Sequence, residues 1–524
     1  ADATSEHFRP APPGRPEAGA PLRHTDRRGN VTHLAYDSRG FVSEVRDSEG
    51  PVATYTRDAL GRVVTHTNGA GDTVRYAYRA DGRVSAVAGP GERRIRLTYN
   101  DRKDLTARDE NGVVTRYRYD RRHLLTRVTN PLGEEVHYQY RADGKLMLRT
   151  VLGIPADGDA RTSAAGAYHY DDTGHLIAVE QVETGSTTRV EHDAAGRVAA
   201  VVDPTGARTE YERAFDGRPV VVRRFVDGTA HEERMRYEPG GRLIRYEGPA
   251  GRVLAFEHDA AHRTTTTVAP AAEAGAYVSR GPYGLPTEEV DATGRTRSYR
   301  YDLRGRLVEV QVADRREARY QYDAANRVTG YTDGAGASWS YEYGPDGFLE
   351  VATGPDGTAK RYEHDAGGNV IRVIDETGRA TAYTRDELGR AVEIAGPYDA
   401  EHGPAANTPR TALAWHLTGE VEQVTDPTGR TTTREFDAGG SVVGLTHPNG
   451  TQTAMERDAA GRLIRTRDPS GRTVSYEYDE AGRLTAVRRA DELVARYRYD
   501  PAGRLTHEYD GLGHAHEYRY DRHG

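Results

Sequence analysis

One short unit, repeated along almost the whole chain, limits what this protein can fold into. Residues Ser475 to Val487 read S-Y-E-Y-D-E-A-G-R-L-T-A-V, and close versions recur from Tyr36 to Tyr520. The frame is an aromatic slot followed by Asp, with Gly four positions after the slot, then usually Arg and an aliphatic residue. Tyr478, Asp479, Gly482, Arg483 and Leu484 show it cleanly. It recurs at Tyr78 and Gly82, at Tyr140 and Gly144, at Tyr301, Asp302, Gly305 and Arg306, and at Tyr499, Asp500, Gly503 and Arg504. Slots such as Arg57 and Tyr78, Tyr322 and Tyr343, or Tyr478 and Tyr499 lie 21 residues apart. About twenty-three copies can be counted, with a degraded one assigned to Tyr283. Such a period signals one elongated or closed array of stacked units instead of several independent domains.

Each unit carries two strand signals and two turn signals. Between Arg462 and Arg483, G-R-L-I-R-T-R and R-T-V-S-Y-E-Y read as strands, separated by the turns D-P-S-G and D-E-A-G. Pro469 presets its own φ and Gly471 supplies a permissive residue behind it. Val474, Tyr476 and Tyr478 alternate with Thr473, Ser475 and Glu477, so the two tyrosines share a face. The pairs Tyr117 and Tyr119, Tyr138 and Tyr140, Tyr341 and Tyr343, and Tyr497 and Tyr499 repeat the pattern. Side-by-side hairpins would stack these rings into ladders. Leu484 and Val487 have opposite parity, which predicts a bulge just after the Gly-Arg turn. Where the turn lacks Gly, Asn326, His123 and His262 stand in its place, residue types that tolerate positive φ. Lys103 and Thr287 fit less easily. The repeated Gly is therefore a backbone requirement and not a ligand loop.

Composition favours a thin β wall over a thick core. The chain is 36% hydrophobic and 29% charged, with a mean hydropathy of −0.78. Disorder is argued against by 33 Tyr at regular spacing, set beside only 7 Phe. A net charge of −8 with arginine interspersed among acids excludes a dominant nucleic-acid stripe. The absence of cysteine removes disulfides, thiol nucleophiles, iron-sulfur clusters and Cys-ligated zinc. No apolar run reaches the roughly 18 residues of a membrane span. Ala1 to Pro21 is rich in Pro, Ala and Gly without the apolar stretch of a signal peptide. The expectation is export by a machine that needs no such signal, or a chain that is the middle of a longer polypeptide.

The expected organisation is a Pro-rich linker over residues 1–23 and a repeat array over 24–524. Slots Tyr140 and Tyr170, and Arg385 and Trp415, are separated by 30 residues instead of 21. The inserts fall near 150–167 and 396–412, and residues 269–290 form irregular units that could mark a bend or seam. Surface loops are the plain reading of the inserts, and contact with cargo or a neighbouring module the sharper one.

Searches for chemistry return little. His514 and His516 form the one close histidine pair and lack a third ligand. His192, His258 and His364 occupy aromatic slots and read as packed substitutes for Tyr. Asp157-Gly158-Asp159 lacks the remaining oxygen ligands of a calcium loop. Neither a phosphate loop nor a nucleophile elbow is present, and the sequons at Asn30 and Asn449 are short patterns. The turn pairs Asp479 with Arg483 and Asp500 with Arg504 read as exposed bridges contributing ~0 to 1 kcal/mol each. No catalytic, cofactor or metal residue is assigned.

The Y-D-x-x-G-R-L frame with D-P-x-G between copies resembles the YD repeat of Rhs proteins, also found in the toxin-complex BC cocoon and in teneurins. The resemblance runs from about His24 to Gly524. It implies an all-β ribbon of antiparallel hairpins that spirals into a hollow shell. The resemblance implies that in bacterial members the shell is followed by a core whose aspartates self-cleave and then by a C-terminal toxin domain of the same polypeptide, which the shell holds. Asp203, Asp426 and Asp468 sit in the ordinary repeat turn, so that protease role is not carried onto them. The implied function is the shell of a secreted bacterial polymorphic toxin, with a secretion apparatus or chaperone as a further partner. A cell-surface or wall-associated binding protein for carbohydrate or a protein partner is the alternative. Roughly 46 strands at ~4.8 Å make a ribbon on the order of 220 Å long, which in one closed turn is ~70 Å across. That would admit a toxin domain roughly 35 Å wide.

Overall fold

The computed structural model describes residues 7–10, 21–26, 31–153, 161–226, 228–249, 253–258, 264–269, 277–281, 284–291, 293–437 and 439–520. Its elements are 47 β-strands, and among the described residues there is no α-helix. Strands adjacent in sequence pair antiparallel, so the repeat is a hairpin ribbon as its two strand signals predict.

The turn chemistry is uniform. At the slot side, the Asp479 N–H donates to the Arg483 carbonyl at 3.0 Å and the Gly482 N–H donates to the Asp479 carbonyl at 2.9 Å. Asp479 Oδ1 accepts the N–H groups of Ala481 and Arg483 at 3.0 and 2.9 Å, so the side chain braces its own turn. Gly482 has φ +78°, a region that costs an L-residue about 1 to 2 kcal/mol. Asn326, His123 and Lys103 adopt φ values of 67°, 65° and 73° at the same position, so Lys103 follows the rule after all. His262 lies outside the described residues.

The parity offset is a bulge, as expected. Glu477 opposes Ala486 but Tyr478 opposes Leu484, which leaves Thr485 unpaired. The same shift recurs at the slot in other repeats, for example at Tyr78 and Tyr499.

Alternation gives the ribbon one half-buried and one exposed face. In the strand Glu492–Tyr499, Leu493, Ala495, Tyr497 and Tyr499 are half-buried while Glu492, Val494, Arg496 and Arg498 are exposed. Among the described residues no large side chain is fully buried. The most buried apolar positions are small, such as Ala200, Ala380 and Ala486. Cross-strand side-chain packing and edge hydrogen bonds therefore hold the wall.

The chain divides into two compact units. One comprises Ala1–Arg116, Glu257–Thr266 and Glu273–Pro409, and the other Tyr117–Phe256, Thr267–Ala272 and Arg410–Gly524. Each contains hairpins from an early and a late part of the chain.

Several sequence expectations meet particular structure. Within residues 1–23, the strand His7–Pro10 pairs with Pro21–Thr25, so pairing reaches into the stretch read as a linker. The first insert lengthens a hairpin whose strands are Leu146–Gly153 and Arg161–Tyr170. Asp157 to Asp159 lie outside the described residues. The second insert is a flap fastened to the sheet, with its strand Ala391–Asp399 paired to Arg379–Arg385. The Ala400 N–H donates to Gly378 O at 3.0 Å and the Arg372 guanidinium to Ala400 O at 2.6 Å, while Tyr398 and Thr408 are buried.

The degraded unit needs a correction. Its slot is Arg280, not Tyr283: the register shifts between Ser279 and Arg280, and Gly284 four residues on has φ +73°. Arg280 lies 21 residues before Tyr301, so the period is kept there and Thr287 ceases to be an anomaly.

Candidate functional site

Two features concentrate the side-chain chemistry: a lattice along the slot-side turns, and a seam where early and late hairpins meet edge to edge. The lattice begins with the slot residue. Tyr78, Tyr140, Tyr478 and Tyr499 each donate their hydroxyl to the backbone carbonyl 15 residues earlier, at 2.7, 2.7, 2.9 and 2.7 Å. An arginine in the slot reaches the same acceptor. Arg213, Arg385 and Arg457 donate through Nε to Val198, Val370 and Val442 at 2.9, 2.9 and 3.0 Å. This explains why Arg alternates with aromatics at one position: both extend a planar donor to one carbonyl.

The arginine after Gly links neighbouring repeats. Arg483 Nε donates to Asp479 Oδ2 at 2.7 Å, its Nη1 to Asp500 O at 3.2 Å, and its guanidinium lies 4.9 Å from the Tyr499 ring centroid. Arg306 and Arg504 sit likewise over Tyr322 and Tyr520 at 4.9 and 4.8 Å. The Asp479 side chain is only 7% exposed, so these pairs are not the solvated bridges the sequence suggests. His192 and His364 keep the stacking role, with ring centroids 5.0 and 5.3 Å from His175 and Phe348. The His258 side chain lies outside the described residues. Removing one rung should be measurable. Tyr499→Phe leaves Leu484 O without its donor and is expected to cost about 1 kcal/mol, read as a lowered urea midpoint with an unchanged slope.

The seam appears in each unit. In the first, Arg304 Nε and Nη2 donate to Asp47 Oδ2 and Oδ1 at 2.7 and 2.8 Å, across 257 residues of sequence. Arg306 Nη2 donates to Glu49 at 2.7 Å over the same separation, while its Nε holds Asp302 at 2.6 Å. The Asp47 and Arg304 side chains are 2% and 11% exposed. The Arg304 guanidinium holds the Asp47 carboxyl below its usual range, helped by the Glu49 N–H and opposed by burial. Farther along, Gly69 lies against the Ala324 backbone and Gly91 against Asp346. In the second unit, Gly228 donates to Glu480 at 3.4 Å across 252 residues, and Gly439 lies against Thr184. In both, the D-P-x-G-side turns of an early hairpin meet slot-side turns about twelve repeats later.

The predicted signature residues thus fall into the lattice. Tyr78, Tyr140, Tyr478 and Tyr499 are its donors, Arg306, Arg483 and Arg504 its links, and Gly82, Gly144, Gly305, Gly482 and Gly503 its positive-φ turns. Sequence reasoning missed the seam residues Asp47, Glu49 and Arg304. No signal singles out Arg304, because Arg39 and Arg122 stand at the same turn position and reach only the turns of neighbouring repeats. His514 is engaged by Asp510 at 2.8 Å, and no group of three potential metal ligands is found among the described residues.

Comparison with known proteins agrees with this geometry. The RHS repeat family model matches residues 37–73, 99–135, 170–208, 457–492 and 482–515, and the teneurin YD-shell model matches 285–398. The chain is 27% identical over 310 residues to the probable deoxyribonuclease RhsB of Dickeya dadantii, covering 58% of this chain and 20% of that protein. It is 28% identical over 303 residues to the toxin protein Tse5 of Pseudomonas aeruginosa, covering 54% and 23%. The chain therefore spans less than a quarter of the length of these relatives. The crystal structure of TcdB2-TccC3-TEV superimposes with a TM-score of 0.63 at 15% identity, covering 94% of this chain and 31% of that one, which establishes a shared fold. The 21-residue frame, the hairpin built on it and these matches make the chain a member of the Rhs/YD-repeat family.

Proposed function

We propose that this chain is part of the wall of an Rhs-type toxin shell, enclosing a toxin domain of the same polypeptide until delivery. The observation that carries the reading is the seam: in each unit, hairpins about 255 residues apart are joined edge to edge. A ribbon joined to itself in this way makes a continuous wall instead of a free-ended sheet. The likeness to bacterial toxins and to the TcdB2-TccC3 fold supports the same role. In this reading the signature residues Tyr478, Asp479, Gly482 and Arg483 and their counterparts build wall, and the chain supplies no catalytic group. The product is exported from a bacterium by a secretion apparatus, and the enclosed domain is shielded from proteases and from the producing cell.

Limited proteolysis of the full-length polypeptide tests the proposal. The toxin segment is expected to persist as long as the wall stays whole, and to be digested once the wall is opened by denaturant. Complete digestion of that segment beside an intact wall would sink the reading.

A further inference from the structure

The exposed face of the ribbon holds a cavity lined by three exposed arginines and one carboxylate. It has a volume of about 380 Å³ and lies on the strands Thr73–Tyr78, Val84–Ala88 and Arg94–Tyr99 of the first unit. The register fixes its plan. Arg75 opposes Ala88, which opposes Arg94, while Ala77 opposes Ala86, which opposes Arg96. Three alanines therefore form a shallow floor, and three arginines stand around it. Arg75, Arg94 and Arg96 are all exposed.

Some arginines on this face are matched by carboxylates. In the second unit a comparable depression of about 470 Å³ contains Arg223, Arg234 and Arg245. There Arg223 and Arg234 meet Glu232 and Arg245 meets Glu247, each at 2.6 Å. Elsewhere Arg208 bridges Glu191 at 2.7 Å, and Arg372 meets Glu363 at 2.9 Å. The carboxylate just before the slot, present as Glu363 or Glu477, is replaced by Ala77 here. Only Asp109, opposite Arg96, brings a negative charge to the cavity, and its Oδ1 already accepts the Gly112 N–H at 2.7 Å. Arg94 spends Nη1 on the carbonyls of Gly91 and Arg93 at 3.2 and 2.9 Å. The side chains of Arg75 and Arg96 make no ion pair or hydrogen bond among the described residues.

We propose that this cavity binds a compact oligophosphate, a small molecule with at least two phosphoryl groups. Arg75 and Arg94 stand two strand spacings apart, ~9.6 Å between backbones, and Arg94 and Arg96 are ~6.8 Å apart along one strand. All three line the cavity, whose floor has no side chain beyond Cβ at Ala77, Ala86 and Ala88. Guanidinium forks match phosphate oxygens two at a time, and adjacent phosphoryl groups offer the concentrated charge that separate carboxylates do not. The volume lies within the range of small-molecule sites.

Titration calorimetry on the whole chain, with tripolyphosphate, ATP and citrate as probes, tests this. Saturable one-to-one binding of tripolyphosphate is expected, weakening as salt is raised. Arg75→Gln and Arg96→Gln should each weaken it about 10-fold or more. Arg234→Gln, in the second depression where Arg234 meets Glu232, should leave it unchanged. ATP binding more tightly than tripolyphosphate at the same arginines would place a base on the alanine floor, and equal affinity would assign recognition to phosphate alone; both uphold the site. No saturable binding, undiminished binding by the Arg75→Gln/Arg96→Gln double variant, or citrate binding as tightly as tripolyphosphate would overturn the proposal.

Discussion

Arg304→Ala is expected to open the seam of the first unit and to lower local stability by about 3 to 5 kcal/mol. The Asp47 side chain is 2% exposed, and Arg304 supplies two of its hydrogen bonds. Truncating one partner of a buried pair leaves the other charge desolvated, a penalty of about that size. Amide hydrogen exchange reads the effect. Amides of the turns at residues 47–50 and 302–306 should exchange about 100-fold faster or more, following the conversion of ~1.4 kcal/mol per factor of ten. Pairing Arg304→Met with Asp47→Leu should recover much of the loss, because an apolar pair leaves no stranded charge. A single variant costing less than about 1 kcal/mol would show that the seam does not depend on this contact.

The same pair sets an acid limit. Its carboxyl is held below the reference value of 3.8 by Arg304, so its contribution is fully present above that value and disappears as pH falls through the lowered one. Glu49, Arg306 and Asp302 share the cluster. Seam amides should therefore keep their protection at pH 5 and lose it only in stronger acid, below about pH 4. Loss between pH 5 and 7 would point to a different controlling group.

Local structure was legible in the sequence because the repeat encodes it locally. Leu484 and Val487, by their parity, announce the bulge at Thr485, and the Gly substitutes at Asn326 and His123 announce positive φ. The slot at Arg280 was obscured because Gly281 stands where the frame has Asp and Tyr283 follows close behind. A guanidinium extends a planar donor group to the slot carbonyl as Tyr does, so identity there is governed by donor geometry and not aromaticity. The seam is of another kind. Asp47 and Arg304 each occupy ordinary turn positions, 257 residues apart, and neither turn's own sequence records that they meet. Sheet twist and curl arise from many small backbone preferences that no single motif records. The Asp479–Arg483 pair was misjudged for a related reason: its burial comes from the Tyr499 ring of the next repeat.

Gly69→Ala separates backbone closeness from charge as the means of closing the seam. A Cβ at Gly69 would stand 2.4 Å from Pro51 O and 2.9 Å from Ala324 O, both main-chain atoms, one in the preceding hairpin and one across the seam. Neither oxygen can rotate away, so the early and late hairpins must part, with an expected cost of about 3 kcal/mol, the upper end of ordinary overpacking. Gly71, two residues on, provides the contrast. It has φ +92° with nothing within 4 Å of its Cβ position, so Gly71→Ala should cost only the left-handed penalty of about 1 to 2 kcal/mol. Exchange should distinguish them by place as well as size. Gly69→Ala should expose the turn at residues 323–327 across the seam, whereas Gly71→Ala should loosen only its own hairpin. If Gly69→Ala left residues 323–327 as protected as before, close backbone contact would not be what holds the two edges together, and the ion pairs at Arg304 and Arg306 would have to carry the closure alone.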